Sequence, residues 1–503
     1  MIKIDGNTLS LKDLAAIIRD GEKAGLSEKA LTQIKSAYQK IQEWLKAGET
    51  VYGVNTGVGA LSEVKIPPQK IVELQRNLVL SHSTAVGEYF SPEVTRAIML
   101  LRANSLSKGY SGVRPAVPER LLFLVNAGFT PLIPSRGSVG ASGDLAPLSH
   151  LAQSLIGEGD GLYQGKVISS KKVHKLLGIE PLVLEAKEGL SLINGTQAMS
   201  GVLARSLIKL DSLIHAADII GGFSFFVLRG DPQVFSEALI NARPHPGARE
   251  TAENLRKLLK GGNYSSVRFQ DPYSMRCIPQ VHGAVKDGYR WTRQVYETEI
   301  NSATDNPLIF VKENKVIRGG NFHGAPLALI ADSLSISLCY LAGISERRTE
   351  KLLNHSYSGC PPFLARHTGL ESGFMIVQYT AASLTSENKT LAHPASVDSI
   401  PTSLGQEDYA NMGTWGAIKN LKILNNLEYI LAIELMTAGE AMEYLPKEKR
   451  PEGIEKIYQA IRSVVAPLTK DRSLSPDIEK LKTFISGPEW LEVVKSVTGR
   501  KLL

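Results

Sequence analysis

The chain has 503 residues, 43% of them hydrophobic and 21% charged. That composition belongs to a globular protein with a large core, long enough for about three domains, and it excludes disordered and collagen-like chains. The formal charge of +7 is scattered and not gathered in a basic block, so no nucleic-acid partner is indicated.

Three cysteines, Cys277, Cys339 and Cys360, are odd in number and lack C-x-x-C spacing, which argues for a reducing compartment. Met1–Gly6 lacks the apolar run of a signal peptide. The most apolar stretch, Pro326–Ile344, is interrupted by Asp332 and several serines and reads as a buried helix, not a membrane span. A cytoplasmic protein without a membrane partner is expected. The ten histidines are dispersed and no H-E-x-x-H occurs, so no metal is expected.

In chain order, Leu31, Ile34, Tyr38, Ile41 and Leu45 recur at helical spacing, with Ser27 as a cap and Gly48 as the stop. Leu162–Ile168 predicts a small hairpin around Gln164-Gly165. Leu203, Leu207, Leu210 and Ile214 predict a second helix, and Val281–Ile300 a third. Ile423–Leu445 predicts a long helix whose only charges are glutamates, apolar enough to be buried in a bundle or between subunits. The chain changes character near residue 197. Short helices and Gly- and Pro-rich loops precede it, and long helices with polar loops follow. Two domains are expected, 1–197 and 198–503.

The segment Gly137-Ser-Val-Gly-Ala-Ser-Gly-Asp-Leu-Ala-Pro-Leu148 carries the most specific chemistry. It has neither the Gly-Lys-Ser/Thr of a P-loop, so no nucleotide is expected, nor the G-x-S-x-G of a nucleophile elbow. In a tight turn, the Gly143 nitrogen could attack the Ala141 carbonyl carbon. Loss of one water closes a five-membered ring, and loss of a second from Ser142 leaves an exocyclic methylene. Gly143 has no Cβ to block the approach, Ala141 is small beside the attacked carbonyl, and Ser142 carries the leaving group. The product, a 4-methylidene-imidazol-5-one, is a strong electrophile. Taken alone, Ala-Ser-Gly is more often an ordinary turn.

Other segments change that balance. They are Tyr52-Gly-Val-Asn-Thr-Gly57, Asn77-Leu-Val-Leu-Ser-His82, Leu192-Ile-Asn-Gly-Thr-Gln197, Arg243-Pro-His-Pro-Gly247, Gln270-Asp-Pro-Tyr-Ser-Met-Arg276, Thr304-Asp-Asn-Pro-Leu308, Gly320-Asn-Phe-His-Gly324 and Gln406-Glu-Asp408. With these motifs in this order, from about Val51 to about Ala441, the chain resembles the aromatic amino acid ammonia-lyases, and among them most the histidine-specific group. The resemblance implies a mostly α protein, a long-helix bundle of the ammonia-lyase/aspartase-like type with a loop-rich N-terminal domain, forming a homotetramer with sites at subunit junctions. It implies that Ala141, Ser142 and Gly143 form the ring unaided.

It also implies roles. Tyr52 is the candidate base, and Tyr273 a second catalytic phenol. Arg276 suits a substrate carboxylate, because a guanidinium makes two parallel charge-assisted bonds; Gln270, Tyr273 and Arg276 fall at i, i+3 and i+6 and could share one side of a helix start. Asn194 contacts substrate and Phe322 packs near the electrophile. His82 and Glu407 bear on substrate choice, since an imidazole offers a carboxylate an N–H that a phenyl ring lacks.

Three positions depart from the histidine-specific pattern. Tyr409 and Asn411 stand where a histidine and a serine are usual, and Ala325 replaces a usual Glu or Gln. These leave open a tyrosine or modified-histidine substrate, or a 2,3-aminomutase built on the same electrophile.

Overall fold

A computed structural model describes residues 1–262, 267–446 and 450–499. The protein is mostly helical, and its chain forms two compact units that interleave in sequence. One contains residues 1–205, 293–332 and 394–418; the other contains 206–292, 333–393 and 419–503.

The first unit carries short helices and all of the sheet among the described residues. Its first long helix, Glu28–Lys46, starts where Ser27 accepts the Ala30 N–H and buries Ala30, Ile34, Ala37 and Ile41. Gly48 follows it in a left-handed conformation, φ 77°, which a side chain would resist. The hairpin forms as expected from Asp160–Tyr163 and Lys166–Ser169, with Leu162 opposite Val167, and Thr130–Pro131 adds a third strand. A short parallel pair, Ile2–Ile4 with Ala24–Leu26, and two further small antiparallel pairs are added to this. The helix Pro92–Ser107 runs through the core of this unit, buried at Val94, Thr95 and every position from Ala97 to Ser107, and it carries a fully buried Arg102.

The second unit is built on long helices. Gln197–Val227, Ile278–Glu299, Ala325–Leu353 and Gly413–Ala441 each have one end in the first unit's sequence and continue in the second. Gln197–Val227 and Ala325–Leu353 are apolar and long enough to cross a membrane by length and composition, yet 83% and 61% of their most apolar windows are buried inside the protein. Ile219, Phe223, Leu255, Leu341, Leu427, Ile430 and Trp490 are buried in this unit.

Its interior is not wholly apolar. Arg348 makes a double ion pair with Glu434, at 2.5 and 2.9 Å, with both side chains fully buried. Ser224 and Ser345 donate to the two carboxylate oxygens at 2.7 and 2.6 Å. Beside it, Asp218 accepts from Lys286, from Asn254 at 2.8 Å and bonds His282 at 3.0 Å. Burial lowers the His282 pKa, and the neighbouring Arg348 and Lys286 add to this against the pull of Asp218.

Removing one partner of a buried pair leaves an uncompensated charge. Arg348→Met is therefore expected to cost about 3–5 kcal/mol in urea unfolding, and Arg348→Met with Glu434→Leu to recover most of that loss.

Candidate active site

The Ala-Ser-Gly segment lies in a turn that only glycine permits. Gly140 and Gly143 have φ of 74° and 76°. A Cβ on Gly143 would stand 2.1 Å from the Gly195 carbonyl oxygen, and one on Gly140 would stand 2.3 Å from Asn411 Oδ1. Gly143 and Gly195 form an isolated parallel bridge, and Asp144 N donates to Gly195 O at 2.7 Å. Ala141 and Gly143 are buried and Ser142 is half-buried. These residues fit the ring-forming role, since the nitrogen that must attack belongs to a residue without a Cβ in a space that holds none.

The turn is held from several sides. Asp144, fully buried, accepts from Ser138 Oγ at 2.8 Å, from Met199 N at 2.8 Å and from Thr414 Oγ1. Met199 lies in the first turn of the helix Gln197–Val227, where free N–H groups favour an anion. Burial pushes the Asp144 carboxyl above its ordinary value, against the hydrogen bonds that favour its charge. Asn411 donates to Gly140 O at 2.6 Å, and its own N–H and that of Met412 reach Val139 O at 3.3 and 3.1 Å. Neither role is evident in the sequence reading. Asp144 before Leu-Ala-Pro-Leu signals only a helix start, and Asn411 stands out only as a departure from pattern.

Ser142 and Glu407 meet. Ser142 Oγ donates to Glu407 Oε1 at 3.0 Å, and Thr402 Oγ1 donates to Oε2 at 2.9 Å. Glu407 is half-buried in a loop and not on a helix. Thr402 and Glu407 bridge through their backbones across a turn in which Ser403 and Leu404 take φ of 52° and 57°. The same loop abuts that of Tyr52, because a Cβ on Gly59 would lie 3.1 Å from Ser403 Oγ. Gly59 N donates to the Tyr52 hydroxyl oxygen at 3.2 Å.

Asn194 is buried at the end of the helix Glu188–Ile193, adjacent to Gly195. That helix also packs against the Tyr52 loop, since a Cβ on Gly53 would fall 2.3 Å from Leu190 Cδ2. His82 ends the helix Ile71–His82, half-buried, with Nδ1 3.0 Å from Ser81 Oγ. Phe322 is half-buried in the turn before Ala325–Leu353. Next to it, His323 stacks on Tyr409 at 6.0 Å between centroids.

The remaining three predicted residues group in the second unit. Tyr273–Arg276 is a single helical turn. Arg276 lies over the Tyr273 ring, 4.6 Å from its centroid. With its amide oxygen facing Arg276, Gln270 accepts from both Nη atoms at 2.9 and 3.2 Å. The i, i+3, i+6 spacing therefore does bring these side chains together.

The profile of aromatic amino acid lyases matches residues 9–463. The chain belongs to that family. It is 46% identical to a histidine ammonia-lyase of Caldanaerobacter subterraneus subsp. tengcongensis over 498 residues, 98% of each chain. The crystal structure of histidine ammonia-lyase from Trypanosoma cruzi superposes with a TM-score of 0.92 at 40% identity, covering 99% of this chain and 95% of that one. A tyrosine aminomutase from Streptomyces globisporus superposes with a TM-score of 0.94 at 35% identity, covering 100% of both chains. Members of this family use an electrophile formed autocatalytically from Ala-Ser-Gly.

Because Gly195 O occupies the space, Gly143→Ala is expected to prevent ring closure. Intact-mass spectrometry should then find the unmodified chain, without the loss of two waters expected in the parent.

Proposed function

We propose that this carbon–nitrogen lyase eliminates ammonia from L-histidine, giving urocanate. The observation that carries the reading is the contact of Ser142 with Glu407 beside a glycine turn shaped for cyclisation. The histidine ammonia-lyases at 40–46% identity support it over nearly the full chain.

Amine is a poor leaving group, and the β-proton of an amino acid is hardly acidic. The ring made from Ala141, Ser142 and Gly143 supplies an electrophilic methylene carbon that draws electrons from the substrate amine. The protein must do the rest. Tyr52, as its phenolate, takes the β-proton and becomes the neutral phenol, and the Gly59 N–H already donates to the oxygen that carries the charge before the transfer. Arg276, braced by Gln270 and Tyr273, binds the carboxylate and orients the substrate. Tyr273 serves as a second catalytic phenol and Asn194 contacts the substrate, while Phe322 shields the electrophile.

Glu407 and His82 select the imidazole. In the unmodified chain Glu407 Oε1 accepts the Ser142 hydroxyl. That hydroxyl is the group lost when the ring forms, so maturation frees an acceptor for an imidazole N–H. A phenyl ring would leave it unpaired, at the cost of desolvating a carboxylate.

The second reading is a tyrosine or modified-histidine lyase, or an aminomutase. It is favoured by the structural match to a tyrosine aminomutase and by Tyr409 beside His323. Asn411 weighs little toward it, since that side chain is engaged with Gly140.

The enzyme is also proposed to act in the cytoplasm as a homotetramer. Its three cysteines are free, and Ile336, Tyr340, Ile376 and Tyr379 are exposed apolar or aromatic side chains on long helices of the second unit.

A substrate panel tests the reading. The parent should prefer histidine to phenylalanine by several orders of magnitude in kcat/KM, and His82→Leu with Glu407→Gln should narrow that gap. A clear preference for tyrosine, or β-amino acid as product, would replace the histidine assignment with the second reading. Arg276→Lys keeps the charge and loses the fork, so kcat/KM should fall by about 2–5 kcal/mol equivalent. A change of a few tenths would place Arg276 outside the site.

A further inference from the structure

The short helix Glu188–Ile193 is anchored at both ends to one buried carboxylate. Lys187 precedes it in a left-handed conformation, φ 72° and ψ −21°, and Asn194 ends it. Lys187, Ser191 and Asn194 are spaced by four and three residues and so lie on one face. All three reach Asp305. Lys187 Nζ and Ser191 Oγ donate to Oδ2 at 2.7 and 2.9 Å, and Asn194 Nδ2 stands 3.4 Å from Oδ1. Oδ1 also accepts the Asn306 N–H at 2.7 Å. The Lys187 and Asp305 side chains are fully buried.

The amide of Asn194 has one allowed orientation here. Its Nδ2 faces two acceptors, Asp305 Oδ1 and, at 3.0 Å, the Asn306 carbonyl. A flipped amide would set oxygen against both. Its backbone is fixed as well, since Arg102 Nη1 donates to Asn194 O at 2.6 Å. The remaining side-chain atom, Oδ1, is buried and has no partner among the described residues. A buried acceptor without a donor is costly, and such atoms concentrate where a ligand completes the bonding.

We infer that the Lys187–Asp305 ion pair is a positioning device for Asn194, holding its amide so that Oδ1 accepts an N–H of the substrate amino group. The inference rests on the function proposed above. Lys187 is needed because Asp305 alone would be an unpaired buried charge. Such a carboxyl takes up a proton, and its acceptor oxygens would then no longer be assured to Asn194. An ordinary structural ion pair would affect stability but would not act through one particular amide.

A double-mutant cycle separates the two. Lys187→Met with Asp305→Asn removes both charges together. This paired variant should keep its fold by circular dichroism and should still lose two waters by intact mass, so that ring formation is intact. Its kcat/KM for histidine should fall about 10–100-fold, as for other groups that orient a site residue. Made on an Asn194→Ala background, the same pair should change kcat/KM less than about twofold, because its effect travels through Asn194. Equal losses on both backgrounds, no loss on either, or a paired variant that fails to fold would each overturn the positioning role. The parent enzyme is the control for the underlying reading. If it releases no ammonia from any amino acid tested, the proposed function falls and this inference with it. If it does and the cycle is additive, only this inference falls.

Discussion

The close approach of two glycines is the constraint on which the rest of the candidate site depends. Gly143 and Gly195 lie so near that a Cβ on the first would overlap the carbonyl oxygen of the second. Backbones come this close only where side chains are absent. The approach joins the Ala-Ser-Gly turn to the junction between the helices Glu188–Ile193 and Gln197–Val227. Asn194 and the free N–H groups of a long helix are thereby brought beside the turn. Tyr52, through Gly53 and Leu190, rests on the same short helix.

Several buried carboxylates carry charge in this protein, and each of these is answered by donors. Asp144 meets Ser138, Thr414 and the Met199 N–H. Asp305 meets Lys187, and in the second unit Glu434 meets Arg348. Buried pairs of this kind contribute little net stability beside well-packed apolar groups. Their value lies in direction, because a carboxylate with assigned donors on each oxygen fixes the groups around it. A purely apolar core would hold the helices together without fixing the amide of Asn194 or the carbonyls of the turn.

In the proposed function, the Ser142–Glu407 contact links the making of the electrophile to the choice of substrate. The proposed specificity residue is occupied, before maturation, by the hydroxyl that maturation removes. Thr402 engages the other carboxylate oxygen of Glu407.

Much of this was legible in the sequence. Ser27 and Gly48 marked the ends of a helix, and Gln164-Gly165 a hairpin, because capping and turn formation are local and depend on residue type. The apolar stripes of the long helices were legible for the same reason. Reactive residue types were also readable, since a small residue, a serine and a glycine in that order supply the carbonyl, the leaving hydroxyl and the unhindered nitrogen, and the other motifs raised that reading above an ordinary turn. The spacing of Gln270, Tyr273 and Arg276 was enough to group them, Tyr273 and Arg276 on one helical turn and Gln270 just before it. The supporting residues were not legible. Lys187 and Asp305 are 118 positions apart, and Asn411 and Gly140 are 271 apart. Alone in sequence, Lys187 is a solvent-facing lysine and Asn411 a substitution. Their burial and their partners arise only when distant segments pack, because a hydrogen bond is decided by distance and desolvation, and neither is encoded in local sequence.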